Sequence, residues 1–160
     1  MRYSIAADEL TGVAGELAGA LVSRGHELRA LHGVLNADER DDWAWASEAA
    51  ARDVAEGRAD QAIVACWTGT GASIAANKVP GIRAALCADA KTAKGARKYN
   101  DANVLALSLR QLDSEGLAEI LDAWLAGAPS AKESDVANIR HLEAIEAVEP
   151  TSPAPPDRAG

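Results

Sequence analysis

The chain has no phenylalanine, one methionine and two cysteines, and aromatic residues make up only 4% of its 160 positions. Cys66 and Cys87 are too few for a disulfide framework, and neither sits in a CxxC motif or a Cys/His cluster with metal-ligand spacing. No run of 18 apolar residues occurs, and the opening MRYSIAADEL lacks the apolar segment of a signal peptide. We therefore expect a cytoplasmic protein with reduced thiols and no membrane span. Positive charge is also scarce. Sixteen Lys and Arg against 24 Asp and Glu leave a net charge of −8, without the clustered basic face that nucleic acid or an anionic membrane requires.

What is abundant is alanine, with 37 residues inside an apolar fraction of 48%. The length suits one domain able to bury its own core. That core must be built from Ala, Leu, Ile and Val, with backbones packed closely through small side chains.

Apolar runs and helical periods alternate about every twenty residues. Strand patterns cover Tyr3 to Ala7, Glu27 to Leu35, Gln61 to Cys66 (QAIVAC), Ile82 to Ala88 and Val104 to Ser108 (VLALS). Helical patterns cover Val13 to Arg24, Asp41 to Ala55, the stretch after Gly71, Thr92 to Lys98, Ser114 to Leu125 and Val136 to Val148. Such alternation predicts an α/β domain over residues 1–148, with a mainly parallel sheet of about five strands covered on both faces. The Pro-rich stretch 149–160 has nothing to bury and is expected to be disordered.

Ligands of open α/β sheets sit outside the carboxyl ends of the strands. Three segments are read as loops of this kind: Asp8-Glu9, Cys66 to Ser73, and Tyr99-Asn100-Asp101. In Cys66-Trp67-Thr68-Gly69-Thr70-Gly71, two glycines let the backbone approach a ligand, and the next helix aims free N–H groups at an anion. The loop matches neither GxxxxGK[ST] nor GxGxxG. It can hold a phosphate or carboxylate, or stabilise an oxyanion formed during reaction. A thiol beside a helix N-terminus lies in a field that favours the thiolate, which suits a proton-abstracting base. The plainer reading, a small buried residue closing a strand, remains open on spacing alone.

The block CWTGTGASIAANKVPGIRAALC, followed by ARKYNDANVLALSLR, resembles the signature of the RpiB/LacA/LacB family of sugar-phosphate isomerases, densely from about Gln61 to Arg110. The resemblance implies a Rossmann-like three-layer α/β/α sandwich, a homodimer with shared active sites, a sugar or sugar-phosphate substrate, and no metal or organic cofactor. It further implies aldose–ketose isomerisation through a cis-enediolate. Carried over by position, Cys66 is the base, and Thr68 with the N–H groups through Gly69, Thr70 and Gly71 holds the enediolate oxygen. Asp8 and Asn100 bind sugar hydroxyls, and Arg110 reaches a phosphate, across the dimer in the family pattern.

Departures from that pattern are specific. Glu9 stands where the family has histidine, Tyr99 where it has the ring-opening histidine, and Trp67 where it has a loop glycine. The phosphate-clamping arginines near the C-terminus align with Ser134 and Asn138, or, with a shifted register, leave Arg140 and His141 to compensate. A substrate without a terminal phosphate, or with it held elsewhere, is therefore expected. The rival reading is a family member altered to epimerase-type proton transfer or to binding without turnover. Elsewhere Cys87 reads as core, Trp43 and Trp45 as packing, with one of them facing a dimer interface or a pocket mouth as the alternative, Asn77-Lys78 as a turn, Asp38 to Asp42 as a solvated loop, and Lys91 to Lys98 as a modest basic patch.

Overall fold

A computed structural model describes residues 1–147; the Pro-rich stretch expected to be disordered lies outside the described residues. Five parallel strands, β1 (Arg2–Ala7), β2 (Glu27–Gly33), β3 (Gln61–Cys66), β4 (Ala84–Leu86) and β5 (Val104–Ser108), form one sheet in the order β2-β1-β3-β5-β4. β3 and β5 are buried at every position, as expected of a parallel sheet covered on both faces. Register pairs Ala7 with Gly33 and Ala65, and Cys66 with Ser108, so the carboxyl ends of the central strands lie level.

Five helices cover the sheet, α1 (Leu17–Val22), α2 (Trp43–Ala55), α3 (Thr70–Ala76), α4 (Ala90–Asn100) and α5 (Ser114–Leu125), and α6 (Glu133–Glu146) lies outside them against α4. One face packs Tyr3, Ile5, Leu105 and Leu107 against α1, α4 and α5, with Trp124 fully buried. Its polar fixture is Gln61, whose Oε1 accepts from the Tyr3 hydroxyl at 2.6 Å and from the Trp124 indole at 2.7 Å. The opposite face packs Ala6, Ala62, Val64 and Ala106 against α2 and α3 through Ala46, Ala50, Ala72 and Ala76.

Strands β3 and β5 and helix α5 fall where the sequence places them. Other boundaries move for physical reasons. The expected helix over 13–24 begins as a 3-10 turn, Ala14–Glu16, and becomes α-helical only over six residues; Gly15 and Gly19 inside it weaken it. The strand expected over 82–88 shrinks to three residues, because β4 is an edge strand with β5 as its single neighbour. Helix α4 starts earlier than expected because Asp89 caps it, accepting from the Thr92 N–H at 2.7 Å.

Candidate active site

The site grows from the end of β3. Cys66 is the last residue of the central strand and 5% exposed. Its carbonyl accepts from the N–H groups of Gly69 at 3.1 Å and Leu109 at 3.0 Å. The next carbonyl, of Trp67, accepts from the Arg110 N–H and the Ser108 hydroxyl, each at 3.0 Å. The loop is thereby clamped to the end of β5. Gly69 makes the turn at φ 75°, and a Cβ there would lie 2.8 Å from the Leu107 carbonyl carbon and oxygen. No other residue type fits both constraints. From Thr70 the chain enters α3, whose Ala72 N–H donates to Cys66 Sγ at 3.4 Å. Thr70 and Gly71, in the first turn, have no intrahelical carbonyl to bond, so their N–H groups are free for an anionic atom beside the sulfur. The Thr68 and Thr70 hydroxyls are 2.7 Å apart.

Two further walls come from other strands. Asp8 follows β1, level with Cys66, and its Oδ1 is buried without a hydrogen-bond partner. Burial, then the carboxylates of Glu9 and Asp41, hold the Asp8 carboxyl above its usual range, opposed by its own and the Glu9 backbone N–H. The other wall is Trp43, at the start of α2, whose ring lies 3.0 Å from where a Gly71 Cβ would stand. The missing side chain at Gly71 is what lets the indole lie against the loop.

Asp8, Glu9, Cys66, Thr68, Gly69, Thr70, Gly71 and Arg110 thus share the carboxyl end of the sheet. Arg110 follows β5, and its backbone N–H on the Trp67 carbonyl sets it at the same end of the sheet as Cys66 of its own chain. Tyr99 and Asn100 do not share it. The reading of 99–101 as a loop at this end is corrected: both residues belong to the last turn of α4, and Asp101 caps it at φ 44°. A segment that leads into a strand lies at that strand's amino end. Asn100 instead lines a concavity of about 380 Å³ with Asn77, Arg83, Leu142 and Glu146. Ser134, Asn138, Arg140 and His141 ride on α6, which has no buried residue. Trp67 is half exposed.

Three elements of the site escaped the sequence reading: the Ala72 N–H, the Asp41 carboxylate and the seat of Trp43 on Gly71. Trp43 carried a signal, an aromatic at the start of a helix in a chain with few aromatics; an alanine N–H carries none. Cys87 is buried, and burial with the nearby Asp89 carboxylate pushes its thiol up to about 12, as befits a core residue. Among the described residues no group of three or more His, Cys, Asp or Glu side chains is placed to hold a metal ion, and no helix is long and apolar enough to cross a membrane.

Comparison with known proteins gives a consistent picture. The ribose/galactose isomerase family model matches residues 4–147. Ribose-5-phosphate isomerase B of Escherichia coli (strain K12) is 41% identical over 110 residues, covering 69% of this chain and 72% of the relative. The galactose-6-phosphate isomerase subunit LacB of Clostridium acetobutylicum is 49% identical over 79 residues, covering 49% of this chain and 45% of that one. Ribose-5-phosphate isomerase B of Clostridium thermocellum superposes with a TM-score of 0.81 at 36% identity, over 91% of this chain and 97% of that structure.

Proposed function

The chain belongs to the ribose/galactose isomerase family, and we propose that it interconverts an aldose and a ketose with Cys66 as the base. The Cys66 thiolate takes the proton from the carbon next to the carbonyl, and that C–H electron pair becomes the C=C bond of an enediolate. Negative charge then gathers on the former carbonyl oxygen, where the free N–H groups of Thr70 and Gly71 and the Thr68 hydroxyl can meet it. Donors fixed before the reaction stabilise such charge without reorganising, an effect of roughly 3–4 kcal/mol per donor. Return of the proton to the neighbouring carbon, with a proton moved between the two oxygens, completes the isomerisation. The observation that carries this reading is the placement of Cys66 Sγ, buried and held by the Ala72 N–H at the end of β3, while the neighbouring strand β1 runs on into Asp8 with a buried and unpartnered carboxyl oxygen.

Asp8 and Glu9 are suited to sugar hydroxyls, which donate to carboxylates. They are ill suited to a phosphate dianion. With Asp41 they put three carboxyl groups around this end of the sheet, so the reacting end of the substrate lies here and any phosphate is held away from them. Tyr99 and Asn100 lie at the opposite end of the sheet from their own Cys66, so a second copy of the chain must supply them if they act on substrate. A symmetric homodimer with shared sites is the arrangement we propose.

Incubation of candidate pentoses, tetroses and hexoses in D2O, each with and without phosphate, tests the reading. Deuterium at the carbon beside the carbonyl together with isomer formation supports it. Exchange without isomer identifies an epimerase-type reaction, and absence of both with every sugar refutes it. Sedimentation showing a 16.6 kDa monomer under assay conditions overturns the shared-site arrangement.

A further inference from the structure

His32 lies on β2, paired in register with Ala6, on the alanine-rich side of the sheet and away from any residue given a chemical task above. It is nearly buried, and both of its ring nitrogens are engaged. Nε2 is 2.8 Å from Asp53 Oδ2, and Nδ1 is 2.8 Å from Glu39 Oε2. An ionised carboxylate only accepts, so each contact requires a ring N–H, and the ring that makes both is the imidazolium. We infer that His32 is a positioning residue for the proposed active site: by donating to Asp53 and Glu39 together, it ties the loop that carries Asp41 and leads into Trp43 to the frame of the domain.

The two carboxylates are held very differently. Asp53, on α2, is buried and has other donors: the Ser4 hydroxyl of β1 at 2.5 Å on Oδ2, and Arg58 Nε at 2.6 Å on Oδ1. Arg58 is itself shared with Glu56. Glu39 sits in the connection between β2 and α2, with its side chain 35% exposed, and its remaining partner is the Asn36 amide at 2.9 Å in the same connection. Two residues on lies Asp41, whose charge reaches Asp8, and then Trp43, whose ring is against Gly71 of the oxyanion loop. When the ring loses a proton, one carboxylate must face a lone pair. Asp53 keeps Ser4 and Arg58, so the contact that yields is Glu39, which water can reach. The loop beside Asp8 and Trp43 is then untied from the sheet.

The inference rests on the proposed isomerase reading for its effect on catalysis, so its test has one arm that needs no substrate. In that arm, 15N-labelled protein is titrated between pH 5 and 9 while the His32 ring nitrogens and the Trp43 indole N–H, assigned with Trp43→Phe, are followed by NMR. The expected result is that the Trp43 signal moves with the His32 titration in wild type and is insensitive to it in Glu39→Ala. In the kinetic arm, KM for whichever sugar exchanges deuterium rises as His32 deprotonates, with kcat little changed. A loop ordered in one molecule in ten raises an apparent KM about tenfold. Glu39→Ala and His32→Gln are expected to show the raised KM at every pH. Glu39→Ala leaves Asp53 with its other donors, so it serves if His32→Gln fails to fold. A Trp43 signal that ignores the His32 titration overturns the inference whatever the sugar results. So does a wild-type rise of KM with pH that persists in Glu39→Ala.

Discussion

The two faces of the sheet are built to different scales. One buries Tyr3, Ile5, Leu107, Leu121 and Trp124; the other buries Ala6, Ala50, Ala62, Ala72 and Ala106, with Cys66 at its edge. The bulky face supplies most of the buried apolar area, and burial of that kind is the main source of stability. The alanine face contributes less area per residue and something else. Small side chains bring α2 and α3 close to the strands, so a backbone N–H and an indole ring reach the end of β3. Stability and the proposed chemistry thus fall largely on opposite sides of one sheet.

The sharpest way to isolate the chemical side is Cys66→Ser, which is nearly isosteric but replaces the proposed base with a hydroxyl far too weakly acidic at neutral pH. Turnover is expected to fall by roughly 10²–10⁴, with an unchanged circular dichroism spectrum. More than about a tenth of wild-type turnover would contradict the role of the thiol. On the bulky face, Leu121→Ala is expected to cost about 2–5 kcal/mol in a urea melt, while kcat/KM of the folded fraction stays near wild type. Ala50→Leu reverses the pattern. Overpacking should cost only about 1–3 kcal/mol, yet it displaces α2 and with it Trp43, so kcat/KM should drop despite the milder loss of stability. Equal activity in Ala50→Leu and wild type would erase the contrast between the faces.

The smallest expected effects lie at the two ends of the pH scale. On the alanine side, burial would raise the Asp53 carboxyl, but donation from Ser4, His32 and Arg58 outweighs it and holds the group below its usual range. Its contribution is present above the unfolded value of about 4 and is lost as pH falls through the folded one. On the bulky side, burial pushes Tyr3 and Cys87 each up to about 12. Their neutral forms are favoured in the fold, so that stability is whole below the unfolded values of about 10 and 8.5 and is lost as pH rises toward 12. Melting temperature against pH should therefore flatten on the acid limb in Asp53→Asn and on the alkaline limb in Cys87→Ala.

Much of this was legible in the sequence. The unbroken apolar runs QAIVAC and VLALS mark strands buried on both faces, and the Gly-bearing loop after QAIVAC marks the site because strand ends are where chains turn. What stayed hidden depends on geometry that local pattern does not encode. Tyr99-Asn100-Asp101 has the composition of a loop, and its place at the amino end of the sheet follows from chain order because it leads into VLALS; what the composition hides is that α4 continues through Asn100. The reach of Asp41 to Asp8 depends on how the β2–α2 connection folds back. Nothing in LHGVL announces that the His32 ring spans two carboxylates, Glu39 and Asp53.

The strand order has a consequence for how the chain acquires its structure. No two neighbouring strands are joined by a hairpin, and β1 meets β3 across 58 residues, from Tyr3 to Gln61. Every sheet contact must wait for a long loop to close, which places folding on the slow side for a domain of this size. During synthesis at about 5–20 residues per second, the apolar segment Tyr3 to Ala7 is made roughly 3–12 s before its β3 partner. Over that interval the strand that will sit between β2 and β3 has β2 alone to pair with, so this is the stage of the chain's life at which its edge is most open to aggregation and to chaperones.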